Sequence, residues 1–175
     1  KTSIKTVVTI HDLIFIRYPH LFKTINRKIY YKKFKSACNR ADKIIAVSEQ
    51  TKKDIINFFK IPESKIIVVY QGCNNIFQRS ISVKQKERIL EKYQIPENYL
   101  LYVGSIEKRK NLLTILKTLI ELPNQKLVII GKGKSYKEKC LRFISKNSLS
   151  NRVIFLSGLS LEEMAAIYQS AQIMI

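Results

Sequence analysis

Short apolar segments rich in strand-forming residues recur along this chain, and segments with helical periodicity separate them. In chain order the apolar segments are Lys5–Ile10, Lys43–Val47, Ile66–Tyr70, Tyr99–Val103, Lys126–Ile130, Val153–Leu156 and one that begins at Ala171. Strands this apolar, alternating with helices, predict parallel β-sheets covered by helices on both faces. The periodicity lapses through residues 71–82. The pattern therefore predicts an α/β protein with two parallel-sheet units.

The helical segments carry recognisable start signals. The predicted helices are Lys23–Arg40, Glu49–Phe59, Val83–Tyr93, Leu112–Leu122, one ending near Lys146, and one that follows Ser160. Ser48 is expected to cap the second of these. Ser160 and Glu163 match a capping box, which accounts for Glu163 better than acid catalysis does. In the first helix we expect an inner stripe of Ile25, Ile29, Phe34 and Ala37.

Composition restricts the function classes. Hydrophobic residues make up 46% of the 175 residues, and no apolar segment approaches the roughly 20 residues needed to span a bilayer. Cys38, Cys73 and Cys140 are odd in number and widely spaced, which disfavours a disulfide framework or a zinc site and favours a reducing cytoplasm. The net charge of +19 predicts an anionic partner: nucleic acid, a nucleotide or an acidic membrane surface.

The segment after Tyr99–Val103 joins a glycine to a cluster of cations. Gly104 and Ser105 follow the strand, and Arg109 and Lys110 precede the next helix. Ligands of open parallel sheets bind at the carboxyl ends of the strands, and a helix start favours an anion. Each charge-assisted hydrogen bond to a phosphate contributes roughly 1.5–3 kcal/mol, so this segment would hold a diphosphate. A solvated basic loop is the alternative.

Two further features have both functional and structural interpretations. His11 and Asp12 stand where the first strand ends; His11 can bond a sugar hydroxyl or a phosphate, while Asp12 can fix its tautomer or cap a turn. An ordinary structural role is the alternative. On the helix Lys23–Arg40, cations and aromatics suit an anionic membrane or single-stranded nucleic acid, and a solvated basic face explains them equally well. The residues assigned to this surface are Lys28, Tyr31, Lys32 and Lys35.

Other catalytic motifs fail in this sequence. Gly133-Lys134-Ser135 ends like a phosphate-binding P-loop, but Val128 occupies the position of its first glycine. No G-x-G-x-x-G opens a strand-helix unit, which disfavours a nicotinamide enzyme. The aspartates Asp12, Asp42 and Asp54 are not paired with another acid, which disfavours a carboxylate-held metal.

In their order and spacing, the motifs resemble a group 1 glycosyltransferase, that is, glycosyltransferase family 4 with the GT-B fold, over nearly the whole chain. The motifs are Thr9-His11-Asp12, Ala41-Asp42 through Val47-Ser48, Ile66–Val69 leading into Gln71-Gly72, Tyr102-Val103-Gly104 through Arg109-Lys110-Asn111, Leu127–Gly133, and Val153-Ile154-Phe155 through Gly158. The resemblance implies two Rossmann-like units, both incomplete in this chain. Residues 1–76 would belong to the acceptor-side domain, 77–97 to a linker and lead-in helix, and 98–175 to the first half of the nucleotide-sugar donor domain.

The resemblance also implies an activity. Enzymes of this family transfer a sugar from a GDP- or UDP-linked donor to a saccharide or lipid-linked acceptor, with retention at the anomeric carbon and without a metal or other cofactor. Lys110, aided by Arg109, would hold the donor diphosphate beside Gly104 and Ser105. His11 would contact the transferred sugar as the catalytic-site residue. The residues on the nucleobase side would be Gly131, Gly158 and Leu159.

The implied setting is cell-surface polysaccharide biosynthesis, in the cytoplasm or peripherally on the inner face of the cell membrane, with no nucleic acid as partner. Three departures from the family pattern matter. Ser105 stands where many relatives have an arginine, and the E-x7-E segment of the family would come after Ile175. The Gly-rich loop and the further strands with which the family starts would come before Lys1. We therefore expect an internal piece of a longer transferase with little or no turnover by itself. A basic nucleic-acid-binding α/β module and a non-catalytic transferase relative are the alternatives.

Overall fold

A computed structural model describes residues 4–175, which form two compact units, the first ending at Gly72 and the second running from Cys73 to Ile175. Each unit is built on one parallel β-sheet, of three strands in the first and four in the second. The predicted fold class is confirmed. Residues 1–3 of the predicted domain 1–76 lie outside the described residues, and the predicted linker 77–97 falls within the second unit.

The first unit has a three-stranded sheet with β2 in the middle. Its elements are β1 (Val7–Ile10), α1 (Ile14–Arg17), α2 (Thr24–Arg40), β2 (Lys43–Ala46), α3 (Glu49–Phe59) and β3 (Ile66–Val68). The strand order is β1-β2-β3, with all pairs parallel. The predicted strands Lys5–Ile10 and Ile66–Tyr70 each extend two residues too far. The central strand has only four residues, so it pairs with β1 and β3 only over that length.

Burial in this sheet is one-sided. Ile44 and Ala46 of β2 are fully buried in an apolar cluster to which α2 and α3 contribute. On the opposite face, the exposed fractions are 58% for Val7 and 49% for Ile67. Successive residues of a strand point to opposite faces, so within residues 4–72 the buried cluster lies on one face. The prediction of helices on both faces is wrong for this unit.

The inner stripe predicted for α2 is wrong in its first half. Ile25 and Ile29 are 73% and 45% exposed, whereas Phe34 packs against the core and Cys38 is buried. A helix turns about 100° per residue, so the five-residue step from Ile29 to Phe34 rotates the side chain about 140° away from a shared face. The two isoleucines therefore face away from the core that Phe34 joins.

The second unit has a four-stranded sheet. Its elements are α4 (Val83–Lys92), β4 (Tyr99–Val103), α5 (Leu112–Thr118), β5 (Lys126–Ile130), α6 (Ser135–Lys146), β6 (Val153–Leu156), α7 (Leu161–Ser170) and β7 (Ile173–Met174). The strand order is β6-β5-β4-β7, all parallel. The helix predicted to reach Leu122 ends at Thr118, and tighter turns follow it up to Pro123.

Both faces of this second sheet are covered. Leu127 and Ile129 of β5 join one buried cluster with α5 and α6, while Val128 and Ile130 join another with α4 and α7. The alternation follows the two-residue period of a strand. The predicted three-layer arrangement of helix, sheet and helix is therefore correct for this unit.

Two predicted helix caps are present. The Thr51 N–H donates to Ser48 Oγ at 3.1 Å, and Ser160 and Glu163 form the complete capping box. Glu163 also accepts from Lys92 Nζ at 2.6 Å and from the Tyr93 hydroxyl at 2.7 Å. These bonds and the Ser160 N–H lower the pKa of Glu163 to about 2. Glu163 therefore ties α7 to α4 and has a structural role.

Candidate functional site

The second sheet has a topological switch point at the carboxyl end of β4. The chain leaves β4 for β5 and β6 on one side and returns through α7 to β7 on the other side. In open α/β sheets, ligands bind in the crevice outside the carboxyl ends of the strands at such a point. Gly104 is the first residue after β4, so the loop with the cations begins at this crevice.

Three glycine turns lie side by side along this edge. The Gly104 N–H donates to the Ile130 carbonyl oxygen at 3.0 Å, and the Gly131 N–H donates to the Leu156 carbonyl oxygen at 3.3 Å. Gly158 lies two residues beyond Leu156. The residues predicted for the diphosphate and those predicted for the nucleobase therefore share one edge of one sheet.

Gly131 allows two of these turns to touch. A Cβ atom on this residue would lie 2.0 Å from the Gly104 carbonyl oxygen, so no other residue fits without moving the backbone. Gly158 has a φ of +74°, in the left-handed region that favours glycine. The edge is thus lined by backbone rather than by bulky side chains, which lets a ligand approach closely.

The cations of the loop lie in a single turn of 3-10 helix, Lys108–Lys110. Arg109 Nε lies 3.3 Å from Glu107 Oε2, and Lys110 is exposed. An exposed ion pair is worth about 0–1 kcal/mol, less than the roughly 1.5–3 kcal/mol of a charge-assisted bond to a phosphate. A phosphate would therefore compete well with Glu107 for Arg109.

The start of α5 is partly occupied. The Leu113 N–H donates to the Tyr136 hydroxyl at 3.1 Å, and the preceding Asn111 makes no side-chain cap. One of the helix-start N–H groups that the sequence assigns to an anion therefore already has a protein partner. The exposed side chains of Arg109 and Lys110 remain as the cations of this loop that can meet a diphosphate.

Ser105 and Leu159 are held by the second unit itself. The Ser105 carbonyl oxygen accepts from the Tyr102 hydroxyl at 3.1 Å, and burial raises the pKa of Tyr102, so this hydroxyl keeps its proton. Leu159 packs against the apolar cluster that contains Leu156. Both residues lie on the predicted edge. The contacts named here tie them to their own unit and involve no ligand.

The carboxyl edge of the first sheet brings together His11, Thr51 and Gln71. The Thr51 hydroxyl donates to the His11 carbonyl oxygen at 3.0 Å, and Gln71 Nε2 lies 3.5 Å from His11 Nδ1. Asp12 accepts from the Ile14 N–H at 3.2 Å, so it caps a turn, which is one of the two roles predicted for it. The imidazole itself is exposed.

A buried carboxylate holds the segment that follows His11. Asp54 of α3 accepts from the Arg17 guanidinium and, at 2.9 Å, from Gln50 Nε2. Asp54 is 5% exposed and lies one helical turn beyond Thr51, so α3 fastens this segment at two points.

Sequence reasoning placed none of Gln71, Thr51 and Tyr136 at a site. The available signals were that Gln71 belongs to the Gln71-Gly72 motif and that Gln71 and Thr51 follow the ends of predicted strands.

Part of the basic surface predicted on α2 packs against the core of its own unit. Lys28 and Lys32 are exposed, whereas the Tyr31 ring meets Phe59 edge to face with 5.4 Å between ring centroids. Lys35 Nζ lies 5.7 Å from the Tyr31 centroid. Tyr31 is therefore a packed residue at the rim of the core. The large hydrophobic side chains that α2 exposes are Ile25 and Ile29 and, to 40% and 36%, Tyr30 and Tyr31.

Residues 4–175 contain neither a cluster of metal ligands nor a helix suited to a membrane span. No group of three or more His, Cys, Asp or Glu side chains is placed to hold a metal ion there. None of the helices within this range is both long and apolar enough to cross a membrane.

Comparison with known proteins identifies the family. The model for Glycosyltransferase Family 4 matches residues 1–75, and the model for Glycosyl transferases group 1 matches residues 85–175. The second match alone covers more than half of the chain. The chain therefore belongs to the group 1 glycosyltransferases, as the motifs indicated.

The relatives are longer than this chain. The serotype-specific mannosyltransferase WbdA of Escherichia coli is 24% identical, with 98% of this chain and 22% of the relative covered. The O-antigen chain mannosyltransferase RfbU of Salmonella typhimurium is 25% identical, with 94% and 43% covered. Among solved structures, Anabaena Alr3699/HepE in complex with UDP and glucose matches with a TM-score of 0.78 at 18% identity, over 96% of this chain and 45% of that one. The chain thus spans less than half the length of these three proteins.

Proposed function

We propose that this chain contributes the donor-diphosphate site of a glycosyltransferase that builds a cell-surface polysaccharide. The observation that carries the proposal is the switch point at β4, where the Gly104 and Gly131 turns lie together and the loop that leads to Arg109 and Lys110 begins. Two relatives with O-antigen or serotype-specific mannosyltransferase names favour a hexose, mannose in the first place, as the transferred sugar. The donor would be a GDP- or UDP-linked sugar.

The proposed chemistry is a retaining transfer to a saccharide or lipid-linked acceptor. The bond between the anomeric carbon and the diphosphate breaks, the nucleoside diphosphate leaves, and an acceptor hydroxyl oxygen bonds to that carbon and loses its proton. Lys110 and Arg109 would stabilise the negative charge that grows on the leaving diphosphate. The retaining outcome, the independence of a metal and the low turnover of the chain by itself stay predictions.

A thermal-shift titration with GDP and with UDP tests the site. At about a hundred times its dissociation constant, a nucleotide should stabilise the protein by roughly 2.7 kcal/mol, which raises Tm by some 5–10 °C for a unit of this size. The Lys110→Ala variant should lose most of that shift. Lys117→Ala is the matched control, because Lys117 is equally exposed but lies in the last turn of α5. An equal shift in both variants, or none for either nucleotide, would contradict the proposal.

We also propose that the N-terminal half of α2 rests on an anionic membrane surface. Ile25 and Ile29 are exposed one helical turn apart, and Lys28 and Lys32 lie beside them. Apolar side chains would enter the headgroup boundary while each lysine adds about 1 kcal/mol near anionic lipid. Tyr31 packs against Phe59 and is 36% exposed, so it would contribute less to this surface than the two isoleucines.

Vesicle sedimentation tests this second proposal. The protein should pellet with phosphatidylglycerol-containing vesicles and stay in the supernatant with pure phosphatidylcholine. An Ile25→Ser, Ile29→Ser double variant should weaken pelleting at unchanged charge. As a control, Leu141→Ser removes an apolar side chain that is 42% exposed on α6 of the second unit. Equal loss in both variants would contradict a specific role for α2.

A further inference from the structure

The ring of His11 is contacted from across its sheet by a residue that sequence reasoning did not place at a site. We propose that Gln71 is a positioning residue that fixes His11 as the tautomer with its proton on Nε2. His11 would then meet a bound ligand as a hydrogen-bond donor and not as a base. The identity of that ligand rests on the proposed function, but the tautomer does not.

The reach of the side chain supports this role. Gln71 follows β3 and His11 follows β1, with β2 between them. Neighbouring strands are about 4.8 Å apart, so two strand spacings of roughly 10 Å separate β1 from β3. Gln71 nevertheless brings Nε2 to 3.5 Å from His11 Nδ1. The long glutamine side chain therefore reaches past the end of β2 to the imidazole.

In this structure the NH2 group of Gln71, and not its oxygen, faces His11 Nδ1. An amide NH2 group donates and cannot accept, so the Nδ1 atom that faces it must carry a lone pair. A neutral imidazole has one ring proton, which is then on Nε2. Asp12, the adjacent carboxylate, accepts from the Ile14 N–H. With the amide reversed, its oxygen would face the ring and the proton would lie on Nδ1 instead.

The backbone of His11 is held independently of its ring. Thr51, which is 5% exposed, donates to the His11 carbonyl oxygen, and the same hydroxyl lies 3.0 Å from Ser48 Oγ. The residue is thus fixed by α3 on its main chain and by Gln71 on its side chain. The Nε2–H that remains can donate to a phosphate or hydroxyl oxygen at the carboxyl edge of the first sheet.

Long-range 1H–15N spectra of the uniformly labelled chain at pH 8, without nucleotide, test the tautomer. Only His11 and His20 contribute ring signals, so the His20→Gln variant assigns them. We expect a protonated Nε2 and an unprotonated Nδ1 for His11. In the Gln71→Glu variant, a carboxylate that only accepts should draw the proton to Nδ1 and reverse the pattern.

Asn57→Asp is the charge-matched control, because Asn57 is exposed on α3 and lies nine residues beyond Ser48, away from the edge. Its His11 pattern should equal that of the wild type. A wild-type Nδ1–H form, an unreversed pattern in Gln71→Glu or a reversal in Asn57→Asp would overturn the inference. Since no nucleotide is present, failure here is distinct from failure of the Lys110 titration.

Discussion

The two sheets have the same parallel pairing and nearly the same kind of sequence, yet they differ in burial. In the second unit, alternate residues of β5 enter clusters on opposite faces, and Leu127, Val128 and Ile129 are fully buried. In the first unit, the central strand is buried on one face, while Val7 and Ile67 stay about half exposed on the other. Apolar strands between helices therefore predict parallel pairing, but not the number of covered faces.

The largest expected effect on stability is the difference between the same substitution, isoleucine to alanine, in these two environments. Ile129→Ala should lower the free energy of unfolding by about 2–5 kcal/mol, because it opens a cavity in a covered sheet. Ile67→Ala should cost less than about 1 kcal/mol, because half of that side chain is already in water. Urea unfolding monitored by circular dichroism measures both. Equal losses would mean that the open face of the first sheet is buried in solution.

The next effect concerns the hydrogen bonds of Glu163, which connect α7 to α4. Glu163→Gln should lower the stability of the second unit by about 1–2 kcal/mol at pH 7, a value reduced by solvent screening because Lys92 is largely exposed. The folded-state pKa of about 2 lies below the ordinary 4.5. The stabilisation is therefore complete above about pH 5 and is lost as the pH falls toward 2.

Unfolding curves of the wild type and the variant at several pH values check this expectation. The difference between them should shrink steadily below pH 4.5. Glu162→Gln is the control, since Glu162 is the exposed neighbour of Glu163 on the same turn. A difference that stays constant down to pH 2.5 would show that the charge of Glu163 does not provide the stabilisation.

A smaller effect is expected where α3 holds the strand end of the first unit. Thr51→Val keeps the volume but leaves the His11 carbonyl oxygen without its 3.0 Å donor, at a cost of about 1 kcal/mol. Thr118→Val removes an exposed hydroxyl that bonds within α5 and should change stability by less than about 0.5 kcal/mol. A loss in Thr118→Val as large as that in Thr51→Val would contradict the assignment of Thr51.

Much of the fold follows from local signals in the sequence. Strand periodicity, the Ser48 cap and the capping box of Ser160 with Glu163 depend on neighbours within a few residues, and each is present. The inner stripe of α2 required Ile29 and Phe34 to share a face, but five residues of one continuous helix place them about 140° apart. Only tertiary packing decides which side of such a helix faces the core.

The candidate sites likewise include features with a local sequence signal and contacts that only tertiary packing creates. Gly104, Gly131 and Gly158 could be placed on one edge because parallel strands end together. The partnership of Gln71 with His11 spans 60 residues and two strand spacings, and the Tyr136 hydroxyl reaches the Leu113 N–H from another helix. Neither contact leaves a local pattern in the sequence, so only the folded chain shows them.

The central claim is that the second unit carries the diphosphate site. The most direct test compares nucleotide-induced changes at the edge of the second sheet with changes elsewhere in the chain. Backbone amide spectra of the labelled chain should be recorded during titration with GDP and with UDP at physiological salt. We expect saturable shifts for the amides of Gly104, Lys110 and Gly131. Shifts spread over the lysines of α2, or none at the glycine turns, would contradict it.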